Sequence, residues 1–242
     1  MTPAERASAV AFALKNCALE AMAPSEATMC AAAEYERNVI DVSQLIDRAN
    51  EDAASEIFAR TVLLAERGWP MSCDLDELRA IHRGLFAGVF DDAGKLRTSN
   101  TARKPTSDKQ RARDPEAFFP AALIETGAHN IALELSDKRN LINYDRVDFV
   151  KQLAHIYDEL GYLHPFKGGN AMTLRVFASR LSHDAGWDLD WGPVTRDEYR
   201  EAKRRAYHGD VSSFERMFDT ICRPANPTRV FLIAGWNQGP AH

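Results

Sequence analysis

Residues 164–175 read His164-Pro165-Phe166-Lys167-Gly168-Gly169-Asn170-Ala171-Met172-Thr173-Leu174-Arg175. A histidine leads into a two-glycine turn. The turn opens into an amphipathic run that continues to Asp184, with Leu174, Phe177, Ala178 and Leu181 at i, i+3, i+4 and i+7. Glycines let backbone N–H groups point outward, and a helix N-terminus adds unpaired donors and a partial positive charge. Together they suit phosphate. Arg175 falls one turn into the helix, where a guanidinium can meet a second phosphate. A histidine beside such a cradle can take the proton of an incoming hydroxyl. The same residues also fit a loop histidine next to an ordinary glycine-rich helix cap, and spacing alone leaves both readings open.

Helical patterns surround this segment on both sides. Residues 4–36 are rich in Ala, Glu and Met and read as one or two helices. Residues 41–66 place Leu45, Ile46, Ala49, Ala53, Ile57, Val62 and Leu63 at roughly helical spacing, and Gly68 and Pro70 end the run. Further helices are predicted over 74–88, 118–135, 145–160, 196–207 and 212–223, and Gly186 is the expected stop after Asp184. Residues 91–115 differ: turn formers accompany seven basic residues, Lys95, Arg97, Arg103, Lys104, Lys109, Arg111 and Arg113. They predict a long surface loop or short hairpin. Val230 to Trp236 is a short strand or a docked tail. The expected fold is mainly α, a helical bundle with a small β-hairpin flap in 91–115. Its divisions are an N-terminal helical extension (1–38), a central domain (39–222) and a C-terminal tail (223–242).

The chain has 242 residues, 45% hydrophobic and 27% charged, with a formal net charge of −5. That suits a folded domain and argues against disorder or a wholly basic nucleic-acid binder. No run approaches the roughly 18–20 apolar residues that cross a bilayer, so no membrane partner is expected. Cys17, Cys30, Cys73 and Cys222 form no CxxC pair, which argues against a zinc site or disulfide framework and for a cytoplasmic setting. The basic loop lacks interleaved aromatics for stacking on bases, so nucleic acid is not the expected partner. His82 and His155 sit among apolar helical residues and read as packed. Arg200, Lys203, Arg204 and Arg205 read as the wet face of a helix. No protein metal ligand is assigned.

The stretch HPFKGGNAMTLRVF resembles the signature of the Fic (filamentation induced by cAMP) family, H-P-F-x-(D/E)-G-N-G-R-x-x-R. The likeness spreads over roughly 40–222. Leu78 to Arg97 resembles the family's upstream helix and turn, Phe118-Phe119 the end of its flap, and His183 to Trp191 the segment after the motif. It looks closest to the short toxin and secreted-effector branch. The resemblance implies a protein adenylyltransferase that moves AMP from ATP to a Ser, Thr or Tyr hydroxyl of a target protein. It makes His164 the base and Phe166 the inward anchor of the loop. Nucleotide and phosphate binding fall to Lys167, Gly168, Gly169, Asn170, Ala171 and Arg175. Arg111, Arg113, Phe118 and Phe119 become a flap that docks the target by strand-like pairing. ATP is then the substrate, magnesium arrives with the nucleotide, and the target is a protein such as a topoisomerase or small GTPase. Secretion as an effector is the alternative to a cytoplasmic role.

Three positions depart from the signature. Gly168 replaces the acidic residue that meets magnesium, Ala171 replaces a glycine, and Met172 replaces the first arginine. Charged contacts are worth about 1.5–3 kcal/mol each, so two losses weaken nucleotide binding or transition-state stabilisation substantially. The alternatives are a transferase using another phosphate-containing donor, or a catalytically silent binding module. Family members often carry an inhibitory helix, (S/T)-x-x-x-E-(G/N), whose glutamate pairs with the second arginine. No glutamate here has Ser or Thr four residues before it, so inhibition in cis is not expected. A small separate antitoxin could supply that glutamate to Arg175, and the 1–38 extension reads as a packing or oligomerisation element.

Overall fold

Ten α-helices and one two-stranded sheet make up the regular structure of the described residues, 1–103, 117–226 and 231–235, in a computed structural model. The N-terminal half supplies α1 (Pro3–Ala18), α2 (Glu26–Glu36), α3 (Val42–Arg48), α4 (Ala53–Arg67) and α5 (Leu75–Phe86). The C-terminal half supplies α6 (Ile124–Asp137), α7 (Arg146–Leu163), α8 (Asn170–Asp184), α9 (Arg196–Tyr207) and α10 (Ser212–Ile221). Their starts follow local chemistry. Thr2 and Glu5 form a capping box behind Pro3, and Thr195 and Glu198 form another at α9.

Two boundaries differ from the periodicity. The pattern over 41–66 is two helices, because Asp52 turns its side chain onto the Ser55 N–H and starts α4 afresh in an extended conformation. Helix α6 begins at Ile124 rather than near 118, since Pro120 and a 3₁₀ turn over Ala121–Leu123 come first.

The helix after the two-glycine turn, α8, lies at the centre. Every residue from Met172 to Ser182 is buried, although the sequence marks only one apolar stripe. Helices α1, α5 and α7 and the strand β1 (Trp187–Leu189) pack around it. Its interior charges are compensated. Arg180 donates to both oxygens of the buried Glu77 of α5 and pairs with Asp184. Helix α1 contributes Ala9, Phe12, Ala13 and Cys17 to the same hydrophobic cluster, so residues 1–38 share this core.

The sheet lies away from the predicted flap. β1 pairs antiparallel with β2 (Cys222–Pro224), in the register Trp187 to Pro224, Asp188 to Arg223 and Leu189 to Cys222. In the flap region the described residues give a single antiparallel bridge, Ala102 to Ala117. Arg111 and Arg113 lie outside the described residues. Within 231–235 the tail docks: Leu232 and Ile233 are buried, and the Trp191 N–H donates to the Ile233 carbonyl at 3.0 Å.

Candidate active site

His164 ends α7 in a left-handed conformation, φ 45° and ψ 61°, unusual for a residue with a Cβ. Arg97 holds it there. The Arg97 side chain is buried and donates to four carbonyls: His164 at 2.7 Å, Ser99 at 3.0 Å, Leu163 at 3.3 Å, and Phe119. The Arg97 N–H adds a 2.9 Å bond to the Pro165 carbonyl. One fork-shaped cation thereby joins the end of α7 to both ends of the 97–119 segment.

Asn170 closes the loop that follows. Its Oδ1 accepts from the Phe166 N–H at 2.9 Å, and its Nδ2 donates to the Phe166 carbonyl at 2.7 Å. Phe166 is buried and stacks on the His82 ring at 3.9 Å. His82 Nδ1 accepts the Gly94 N–H at 2.8 Å, so Nε2 carries the proton and donates to the Gly168 carbonyl at 3.0 Å. Burial pushes the His82 pKa down to about 4, in keeping with this neutral tautomer. Gly169 is required by two facts: its φ is +72°, and a Cβ there would sit 2.3 Å from Phe86 Cε2. As N-cap of α8 it makes no side-chain bond to the helix, so the first N–H groups of the opening turn take no side-chain cap from it.

Above this loop lies a cavity of about 600 Å³. Of the expected site residues, His164, Lys167, Asn170, Ala171 and Phe118 line it. The His164 ring stacks on Phe118 at 3.8 Å and 8°. Burial, with the charges of Arg97, Arg103 and Lys203, pushes the His164 pKa down to about 4, so the imidazole is neutral near pH 7. Gly168 and Gly169 shape the loop beneath. Lys167 pairs with Asp92 at 2.9 Å, so a carboxylate already offsets its charge. Phe119 turns away from the cavity, its N–H on the Tyr162 carbonyl and its ring against the Tyr162 ring. Met172 is buried and does not reach the cavity.

Arg175 is elsewhere than its spacing suggests. It is fully buried and absent from the cavity lining. Its Nε donates to Asn16 Oδ1 at 2.6 Å, its Nη2 to the Asn16 carbonyl at 3.1 Å, and its Nη1 meets Glu20 Oε1 at 2.9 Å. A glutamate of the same chain therefore does pair with the second arginine of the motif, against the expectation that none would. The sequence search demanded a hydroxyl residue four positions before the glutamate, and Asn16 stands there. An Asn-x-x-x-Glu pattern at the end of the first helix is the signal that could have found it.

Other site residues escaped the sequence reading. Lys203 is half-buried and lines the cavity rather than the wet face of α9. Arg103 lies over the rings of Phe118 and Tyr207. Tyr199 carries Arg175 against its ring at 4.9 Å and Lys203 at 4.5 Å, and its hydroxyl meets that of Tyr157 at 2.6 Å. Among the described residues there is no group of three His, Cys, Asp or Glu side chains placed to hold a metal, and no helix is long and apolar enough to cross a membrane.

The site thus sets a left-handed histidine, a helix opening without a side-chain cap and a cavity of about 600 Å³ together on a helical bundle. The sequence profile described as the Fic/DOC family matches residues 72–182. The chain is 29% identical over 189 residues to the probable protein adenylyltransferase Fic of Escherichia coli, covering 78% of this chain and 88% of that protein. It is 30% identical over 176 residues to the probable protein adenylyltransferase Fic of Salmonella typhimurium, covering 73% and 82%. In fold it resembles the crystal structure of BepC, a VirB-translocated effector of Bartonella tribocorum with bound AMPPNP. The TM-score is 0.62 at 24% identity, over 77% of this chain and 90% of that one. The chain belongs to the Fic/DOC family.

Proposed function

We propose that this chain transfers AMP from ATP to a Ser, Thr or Tyr hydroxyl of a target protein, with His164 as the base. The observation that carries the reading is a neutral His164 on the wall of a cavity whose floor is the uncapped start of α8. The target oxygen attacks the α-phosphorus, the bond to the pyrophosphate oxygen breaks, pyrophosphate leaves, and His164 takes the hydroxyl proton. Phosphate oxygens entering beside Arg103 and Lys203, which line the cavity, offset two of the charges that depress the histidine. The donor thus raises the basicity of the residue that serves it.

Magnesium would come with the nucleotide. Gly168 offers no carboxylate, and the ion would supply charge neutralisation on the phosphates. The target's flap contact centres on Phe118. A topoisomerase or small GTPase fits the type of target, acted on in the cytoplasm of the producing cell or of a cell receiving a secreted effector.

The Asn16–Glu20 clamp supports a resting state in which Arg175 is withheld from the donor. Regulation in cis by α1 is then the first reading, with a separate antitoxin the second. A non-catalytic binding module is the rival from another class.

The test incubates the protein with α-labelled ATP, magnesium and cell lysate, beside His164→Ala and Glu20→Gly variants. Label on a target band, strengthened in Glu20→Gly and absent from His164→Ala, supports transfer. Absence of His164-dependent label in both backgrounds, with ATP still bound, leaves the binding module.

A further inference from the structure

Position 172, where the family signature has an arginine, is a buried methionine here, and Arg175 is engaged by Asn16 and Glu20. Lys167 is paired with Asp92. The motif itself therefore delivers no unengaged cation to the cavity. Helix α9 supplies one from another direction. Lys203 lines the same cavity, half-buried, with its Nζ 4.5 Å from the Tyr199 ring centre. Among the described residues it makes no ion pair with a carboxylate. The Lys203 carbonyl accepts from Arg103 Nη2 at 3.3 Å, which brings a second cation beside the first. A partly desolvated ammonium with no carboxylate in ion-pair contact costs stability unless an anion reaches it.

We propose that Lys203 binds the phosphate chain of the donor nucleotide, standing in from α9 for the arginine that position 172 lacks. The inference rests on the AMP-transfer reading for the identity of the donor but makes a claim of its own, namely which side chain holds the phosphates. A cation on α9 approaches from the face of Tyr199 rather than along α8. The donor's phosphates are then gripped between α8's opening turn and α9.

Burial is the main cause that lowers the Lys203 pKa to about 8, which gives the proposal a signature that packing cannot imitate. Glu20, just past the end of α1, raises its pKa, while Arg175 of α8, Arg103 and Arg200 lower it. Asp158 and Glu159 of α7 and His164 share the cavity. The Tyr157 and Tyr199 hydroxyls, pushed up by burial, stay protonated between pH 8 and 9. Above pH 8 the free lysine loses its proton and must regain it to hold phosphate, so ATP affinity should fall by up to about tenfold per pH unit.

The experiment is calorimetric titration of the full chain with ATP, and with adenosine as the uncharged probe, in the native and Glu20→Gly backgrounds. Lys203→Ala should weaken ATP by about tenfold or more while adenosine changes by less than about twofold. Lys203→Arg should keep ATP binding and lose the fall above pH 8. Equal ATP affinity in Lys203→Ala overturns the proposal. So does a parallel loss for ATP and adenosine, which marks a packing role, or a native chain that binds no ATP in either background. The transfer reading fails separately, by missing His164-dependent label on a protein whose ATP binding still depends on Lys203.

Discussion

Glu20 Oε1 lies 2.9 Å from Arg175 Nη1, linking the end of α1 to the interior of α8 across 155 positions of sequence. The arginine side chain is fully buried and the glutamate about a third exposed, so the pair is asymmetric. Releasing Glu20 leaves Arg175 with Asn16 and the Tyr199 ring among its described partners. Glu20→Gly is expected to lower stability by about 1.5–3 kcal/mol, the usual worth of a charged hydrogen bond, while raising ATP affinity and AMP labelling. Thermal unfolding read beside labelling checks both. A lower Tm with unchanged labelling would show that the clamp is structural only.

Two neighbouring glycines respond oppositely to a side chain. A Cβ on Gly168 would meet only the Phe90 ring edge, at 3.5 Å, an ordinary contact, whereas one on Gly169 would strike Phe86 in a left-handed backbone. Gly168→Asp, which restores the acidic residue of the family signature, should fold with stability within about 1 kcal/mol of the parent. AMP labelling should then depend more steeply on magnesium. Gly169→Ala should lose more than about 2 kcal/mol, since overpacking and left-handed strain add. Denaturant titration of both variants checks the order, and equal losses would contradict it.

The motif and the helix it opens were legible because both are local. The histidine, the two glycines and the i, i+3, i+4, i+7 stripe lie within one short stretch, and the caps at Thr2 and Thr195 are written in adjacent residues. What connects distant segments was not legible. Glu20 is marked only by Asn16 four residues before it, where the inhibitory pattern has Ser or Thr, and Arg97 looks like one of seven basic loop residues although it is buried on four carbonyls. His82 was legible as a packed residue but not as the support of Gly168. Lys203 shows the limit of periodicity: Tyr199, Ala202 and Ala206 mark the buried face of α9, and a lysine beside that face points inward only because a cavity lies there.

Acid should destabilise the fold through two histidines. His82 and His164 are held near pKa 4 in the native state against about 6.5 when unfolded. Between those values the unfolded chain binds more protons, so stability falls as pH drops from about 6.5 toward 4. The loss should reach about 2–3 kcal/mol for His82 and less for the more open His164. His183, raised by its bond to Asp188, works the other way. Its contribution is complete below pH 6.5 and is lost only as pH rises through its raised pKa. Denaturant midpoints measured from pH 7 to 4.5 should fall less steeply in His82→Phe than in the native chain, measured from its own lower starting point. Parallel slopes would assign the acid sensitivity to carboxylates instead.

Arg97 separates what positions the base from what touches the donor. Its side chain does not line the cavity, yet it fixes the His164 carbonyl and, after burial, is the first of the charges that depress that imidazole. Arg97→Met keeps the bulk and removes both effects. Several buried carbonyls lose their donor, at about 1–3 kcal/mol each where water cannot replace it, so the variant should unfold at a markedly lower temperature. In the fraction that remains folded, the His164 pKa should rise from about 4 toward its ordinary value, because a neighbouring positive charge is gone. Imidazole proton shifts followed by NMR against pH read this directly, with His164→Gln to assign the resonance. Arg97→Lys restores the charge but not the fork, so it should restore the low pKa while recovering only part of the stability. A His164 pKa unmoved by Arg97→Met would leave burial and the charges of Arg103 and Lys203 as the causes, and Arg97 as a purely mechanical tie between α7 and the flap.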